Sequence, residues 1–191
     1  MKYYLVLNKP KGYVCSAVSD SHKTIYSLLP KSFQDLVQNA KRGERIHTVG
    51  RLDSLTSGLI FITNDGHFSH YITSPESNIS KVYEVELEKS INKEEQEKYI
   101  IKAKQGLLLP ADKKKGEEMA GPSTITFLSN NKCTIEINEG KFHQVRRTFT
   151  ALGNNVIELK RIKIGSFHLP DSLLEGMYRK MSEEELALFK E

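Results

Sequence analysis

In the decapeptide Gly50-Arg51-Leu52-Asp53-Ser54-Leu55-Thr56-Ser57-Gly58-Leu59, one carboxylate stands between two glycines, directly before the apolar run Leu59-Ile60-Phe61-Ile62. A loop hinged in this way holds an ionised carboxylate in one place with a cation, Arg51, on the same loop. That is how a nucleophile or a general base is mounted. The plainer alternative is that Asp53, beside Ser54 and Thr56, only caps a turn or a short helix. The decapeptide alone favours the cap.

Other residues add to the chemical reading. Tyr83 stands on the apolar face of an alternating segment, where a tyrosine is either core or a ring on which a nucleobase stacks, the latter worth roughly 1–3 kcal/mol per base. The segment Lys141-Phe142-His143-Gln144-Val145-Arg146-Arg147 sets two arginines and a histidine opposite a core face. An arginine paired with Asp53 in a cleft would keep that carboxylate anionic and aimed. There is no GxGxxG, P-loop, HExxH or GxSxG motif and no metal-ligand cluster, and His67 and His70 lack further ligands at matching spacing, so neither cofactor nor metal is expected.

The elements that must position these groups follow from periodicity. Residues 3–7 read as a strand, and Lys9-Pro10-Lys11-Gly12 as a turn leaving two lysines exposed. Tyr13 to Ser16 is a second strand, residues 24–40 are partly helical, and Lys41 to Arg45 is a charged loop. Leu59 to Thr63 is a strand ended by the turn Asn64-Asp65-Gly66, followed by a short helix from His67 to Thr73. Residues 81–88 alternate, with Tyr83, Val85 and Leu87 on one face and glutamates on the other, as in a half-buried antiparallel strand.

Residues 92–104 read as a surface helix stopped by Gly106, and 110–122 as a loop or hairpin insertion. Cys133, Ile135 and Ile137 mark another alternating strand. Phe142, Val145, Phe149 and Leu152 give residues 141–152 an amphipathic helix whose other side carries His143, Arg146, Arg147 and Thr150. Residues 156–164 are a strand, and Ser182-Glu183-Glu184-Glu185 is a capping box opening a last helix. Strands do not alternate regularly with helices, which argues for an α+β fold with a mixed, mainly antiparallel sheet and flanking helices.

With 191 residues, 38% hydrophobic and 27% charged, the chain buries roughly 70% of its unfolded surface without needing metals or disulfides. Cys15 and Cys133 belong to no CxxC or Cys/His cluster and read as buried thiols in a reducing cytoplasm, the alternative being a disulfide. The N-terminus lacks a signal-peptide pattern and no segment has the apolar length to span a bilayer, so a cytoplasmic protein without a membrane partner is expected. The net charge of +4 favours a polyanionic partner only mildly. Its distribution says more, with basic clusters at Lys9 and Lys11, Lys41 to Arg45, Arg146 and Arg147, and Lys160 to Lys163, while acidic residues concentrate at 84–97 and 183–191. Each cluster alone is a solvated face. Together they could track phosphates.

Five motifs occur in order: Asn8-Lys9-Pro10-Lys11-Gly12-Tyr13-Val14, Gly50-Arg51-Leu52-Asp53 through Thr63-Asn64-Asp65-Gly66, Lys81-Val82-Tyr83, Glu139-Gly140-Lys141-Phe142-His143-Gln144-Val145-Arg146-Arg147, and Leu159-Lys160-Arg161 with Ile164-Gly165. In this the chain resembles the RsuA/RluB/RluE/RluF branch of the ribosomal RNA pseudouridine synthases, from about residue 3 to the C-terminal helix. Gly12-Tyr13-Val14-Cys15-Ser16, the stretch from Ser69 to Pro75 and Gly176-Met177-Tyr178-Arg179 resemble the small-subunit, RsuA type more than the large-subunit enzymes. Family members usually begin with a small S4 RNA-binding domain. Here residues 1–191 read as the catalytic domain alone.

The resemblance implies the pseudouridine synthase fold, two subdomains about a central RNA-binding cleft, and conversion of one uridine to pseudouridine in rRNA, 16S above 23S, on free rRNA or a small-subunit assembly intermediate. It makes Asp53 the catalytic aspartate, Tyr83 the ring stacked on the flipped base, Arg146 the residue paired with the aspartate and Leu159 the apolar wall of the pocket. Lys9, Lys11, Arg51, Arg147 and Arg161 are candidates for phosphate contacts, and Arg51 could also fill the space the extruded base leaves. Since breaking a buried ion pair typically costs about 3–5 kcal/mol, Arg146→Ala is expected to damage folding and activity, and Asp53→Asn to spare folding. The other reading is an rRNA-binding assembly factor that has lost catalysis. Monomer is the default state.

Overall fold

Why the chain folds as it does is clearest at its first strand, whose run Leu5 to Lys9 is buried throughout because a strand pairs with it on either side. In the computed structural model, which describes residues 1–190, the elements follow as β1 (Tyr4–Lys9), β2 (Tyr13–Val14), β3 (Lys23–Thr24), α1 (Lys31–Gln38), β4 (His47–Thr48), β5 (Thr56–Thr63), α2 (Gly66–Thr73), β6 (Lys81–Leu87), α3 (Lys93–Gln105), β7 (Leu107–Leu109), β8 (Glu118–Ala120), β9 (Thr124–Phe127), β10 (Lys132–Ile137), α4 (Gln144–Ala151), β11 (Val156–Ile164), β12 (Phe167–His168), β13 (Tyr178–Lys180) and α5 (Glu183–Ala187). Short 3-10 turns occupy Ile25–Leu28 and Pro75–Ser77. The fold is mixed, with a mainly antiparallel sheet and flanking helices. It divides into two compact units: Met1–Ile79 with the segment from Arg161 onward, and Ser80–Lys160.

In the first unit β1 lies between β13 and β5, both antiparallel, with Leu7 opposite Tyr178 and Ile60, and Lys9 opposite Gly58. β4 pairs with the far end of β5, and β12 folds back on the end of β11. The core holds Val6, Leu59, Phe61, Ile72, Ile164, Phe167 and Phe189, and the Phe61 ring meets Phe167 edge-on at 5.2 Å and Phe189 at 5.5 Å. Asp65 fixes the start of α2 by accepting from the His67 N–H at 3.1 Å, and it also accepts from the Tyr4 hydroxyl at 2.6 Å.

In the second unit β10 is central, antiparallel to β6 (Ile135 opposite Tyr83) and to β9 (Ile135 opposite Ile125). Asn92 caps α3 by accepting from the Glu95 N–H at 2.9 Å. The apolar sides of α3 and α4 supply Tyr99, Ala103, Val145 and Phe149 to a core shared with Val85, Leu87, Ile135 and Leu159.

Several expectations change at their edges. Only Tyr13 and Val14 of the second strand pair, in parallel with β3. The 110–122 insertion is the turn and return strand of the β7/β8 hairpin. The helix expected over 141–152 is regular only from Gln144, because His143 takes a left-handed backbone at its N-cap (φ 48°). Two-residue β12 and three-residue β13 are too short to carry a period. Cys15 and Cys133 are both free and buried. None of the described helices is long and apolar enough to cross a membrane.

Candidate active site

The Asp53 loop joins the unpaired end of the segment after β4 to the start of β5, and three anchors hold its backbone. The first is Lys9, whose side chain is completely buried. Its ammonium donates to the carbonyls of Thr56 at 2.7 Å, Asp53 at 3.0 Å, Pro10 at 3.0 Å and Ser54 at 3.4 Å. The second is the Gly12 N–H, which donates to the Ser54 carbonyl at 2.6 Å. The third is Cys15, whose sulfur accepts from the Leu52 N–H and donates to the Leu52 carbonyl, each at 3.4 Å. The Thr56 N–H closes the turn on the Asp53 carbonyl at 3.0 Å.

These contacts draw the loop's carbonyls inward, and the Asp53 side chain is half-buried while Arg51 is exposed. The loop's backbone is therefore held from three sides. Burial pushes the Lys9 ammonium down to about 8, with the charges of Cys15, Asp53 and Glu175 acting to raise it. Lys9 stays a cation at neutral pH, its charge shared among the carbonyl oxygens of the loop that surround it.

Gly50 (φ 70°) and Gly58 (φ 102°) flank the loop in backbone conformations that favour glycine. At Gly58 the reason is also spatial. A Cβ there would lie 2.2 Å from the Arg161 carbonyl oxygen and 2.8 Å from its nitrogen, so β5 and the end of β11 approach only because this position lacks a side chain.

Three of the five expected phosphate contacts sit differently from the sequence reading. Lys9 is inside, as above, because the strand before it is buried on both faces and the Pro10 turn folds the loop over its head. Arg161 is buried, with Nε donating to the Leu59 carbonyl at 2.8 Å and Nη2 making no hydrogen bond. Arg147 is buried on α4, where its guanidinium donates to Pro110, Gly116 and Phe142 carbonyls and to Glu118. All three are internal braces; none is a surface cation. Lys11 and Arg51 are exposed. The signal that could have found Lys9 is its position, at the end of an unbroken apolar strand and directly before proline.

In the second unit, Tyr83 is half-buried and packs against the core cluster that contains Leu159, so two of the expected pocket residues rest on one hydrophobic floor. Arg146, one residue before the buried Arg147, is half-buried, and its Nη1 lies 3.4 Å from the Val156 carbonyl. The neighbouring positions on α4 thus divide, one bracing the unit and the other only partly covered. Among the described residues no group of three or more His, Cys, Asp or Glu could hold a metal ion.

The arrangement can be set beside known proteins. Residues 3–151 match the family described as RNA pseudouridylate synthase. The chain is 40% identical over 186 residues to the ribosomal small subunit pseudouridine synthase A of Pasteurella multocida, covering 97% of this chain and 73% of that protein. It is 36% identical over 184 residues to the protein of the same name from Escherichia coli K12, covering 96% and 72%. A crystal structure of a pseudouridylate synthase superposes with a TM-score of 0.85 at 36% identity, over 100% of this chain and 74% of that one. A carboxylate on a braced, glycine-flanked loop and a tyrosine on a sheet, in a chain with these likenesses, place it in the RNA pseudouridylate synthase family.

Proposed function

We propose that this enzyme isomerises one uridine of small-subunit ribosomal RNA to pseudouridine, with Asp53 as the catalytic carboxylate. The observation that carries the reading is the anchoring of the loop at Leu52, Asp53 and Ser54 by Cys15, Lys9 and Gly12, joined to the likeness to small-subunit enzymes over 96–97% of the chain. In the reaction the bond from uracil N1 to ribose C1′ breaks, the base turns, and C5 bonds to C1′. The proton on C5 is lost to water and N1 gains one, so the product is an isomer and no co-reactant is consumed.

Tyr83 stacks on the extruded base, Leu159 lines the pocket, and Arg146 pairs with Asp53 to keep it anionic. Lys11 and Arg51 contact phosphates, and their exposure supports this. Extrusion of a uridine costs a few kcal/mol, which stacking and phosphate contacts offset. The chain acts as a monomer in the cytoplasm on rRNA or on a small-subunit assembly intermediate.

The test is to map pseudouridine in 16S and 23S transcripts and in immature small subunits after incubation with the protein. A single new site in 16S rRNA is expected. A site in 23S rRNA alone would overturn the small-subunit assignment.

A further inference from the structure

The β7/β8 hairpin carries Lys113, Lys114 and Lys115 consecutively at its turn, and all three are exposed and enter no ion pair among the described residues. Of the carboxylates around them, Asp112 and Glu118 are engaged inside the unit, while Glu117 is exposed. Asp112 accepts from His143 Nδ1 at 2.9 Å and from the backbone of Lys114 and Lys113, and Glu118 is taken by Arg147 at 2.8 Å and approached by Lys141 at 3.6 Å. The inward-facing Asp112 and Glu118 are therefore neutralised, and the hairpin's exposed charge is three ammonium groups against the single carboxylate of Glu117.

The turn is also held in one pose. Arg147 on α4 reaches both of its legs, with Nε on the Pro110 carbonyl at 2.9 Å and Nη2 on the Gly116 carbonyl at 2.8 Å. His143, the partner of Asp112, is in the left-handed region at the α4 N-cap, a conformation that costs energy in a non-glycine residue and persists where its surroundings fix it. A surface loop with no task needs neither a buried arginine across its base nor a strained residue at its side. A single-sign triplet presented rigidly matches a ligand with regularly spaced negative charges.

We propose that the 110–118 hairpin is an RNA-binding element in which Lys113, Lys114 and Lys115 contact backbone phosphates, held against α4 by Arg147 and His143. This deepens the rRNA reading above and rests on it. The contacts are sequence-independent and position the substrate; they do not select the uridine.

The experiment measures binding of a 16S rRNA transcript over a series of KCl concentrations. It compares wild type, the triple variant Lys113→Gln, Lys114→Gln, Lys115→Gln, and a control with the same charge change on exposed α3 lysines, Lys93→Gln, Lys102→Gln, Lys104→Gln. The hairpin variant is expected to bind more weakly at low salt, with a plot of log affinity against log salt shallower by about 2–3, while the α3 variant keeps the wild-type slope. An unchanged slope in the hairpin variant, or equal losses in both variants, would overturn the inference. Pseudouridine formation is followed in parallel. Wild-type protein that binds RNA but forms none refutes the isomerase reading, and the slopes still decide the hairpin.

Discussion

The ammonium of Lys9 donates to the backbone carbonyl of Asp53 at 3.0 Å, so a buried cation on β1 grips the backbone of the residue proposed to carry the catalytic carboxylate. Lys9→Met is expected to leave the carbonyls of Asp53, Thr56 and Pro10 without their shared donor, costing about 1–3 kcal/mol in a urea titration. The larger effect is expected on turnover, since a loosened carboxylate loses its aim. A Lys9→Met protein with wild-type kcat would show that the loop holds its shape without the cation.

Gly58 tests the other side of the loop. Gly58→Ala brings a Cβ to 2.2 Å from the Arg161 carbonyl oxygen and places alanine at φ 102°, so β5 must shift away from β11. Strain of this kind costs about 1–3 kcal/mol, and the thermal midpoint should fall accordingly. Gly12→Ala, where φ is 93° but no atom lies within 4 Å, should cost less. Equal losses from the two substitutions would refute the spatial argument.

The ion pairs that brace the hairpin have a defined pH window. The hydrogen bond from Arg147 holds the Glu118 carboxyl below the usual carboxylate range, and that from His143 does the same for Asp112. A carboxyl depressed in the folded state contributes its full stabilisation above its unfolded pKa, about 4 for these residue types, and loses it as the pH falls through the folded value. Glu118→Gln is therefore expected to lower stability at neutral pH and to flatten the acid decline. Urea midpoints measured from neutral pH downward check this, and an unchanged acid decline would count against it.

At Tyr83 the proposed stacking separates ring from hydroxyl. Tyr83→Phe is expected to keep the activity within a few-fold, and Tyr83→Ala to reduce kcat/KM by an amount corresponding to roughly 1–3 kcal/mol. If Tyr83→Phe is as damaged as Tyr83→Ala, the hydroxyl, and not the ring face, carries the role.

How much of this the sequence revealed depends on whether a signal was local. The alternation at 81–88 and 132–137, the Gly106 stop of α3, the α5 capping box and the Asp65 turn were legible because period and capping chemistry act over a few residues. The loop that carries Asp53 was legible through its flanking glycines, both of which take a positive φ. What was not legible is the fate of Lys9, Arg147 and Arg161, because whether a cation meets solvent or a ring of carbonyls depends on chain segments far away in sequence. For Lys9 those are residues 53–56, and for Arg147 residues 110–118. Two adjacent arginines on α4 looked alike in the helical pattern, and only packing separates Arg147, which is buried, from Arg146, which is half-covered.

The central claim is tested most directly by release of tritium from 16S rRNA labelled at uracil C5, comparing wild type with Asp53→Asn on free transcript and on immature small subunits. Wild type is expected to release label in step with pseudouridine formation, and Asp53→Asn, folded by circular dichroism and urea titration, to release none. Equal release from the two would contradict the role of Asp53, and no release from either on both substrates would mean that the protein binds rRNA without modifying it.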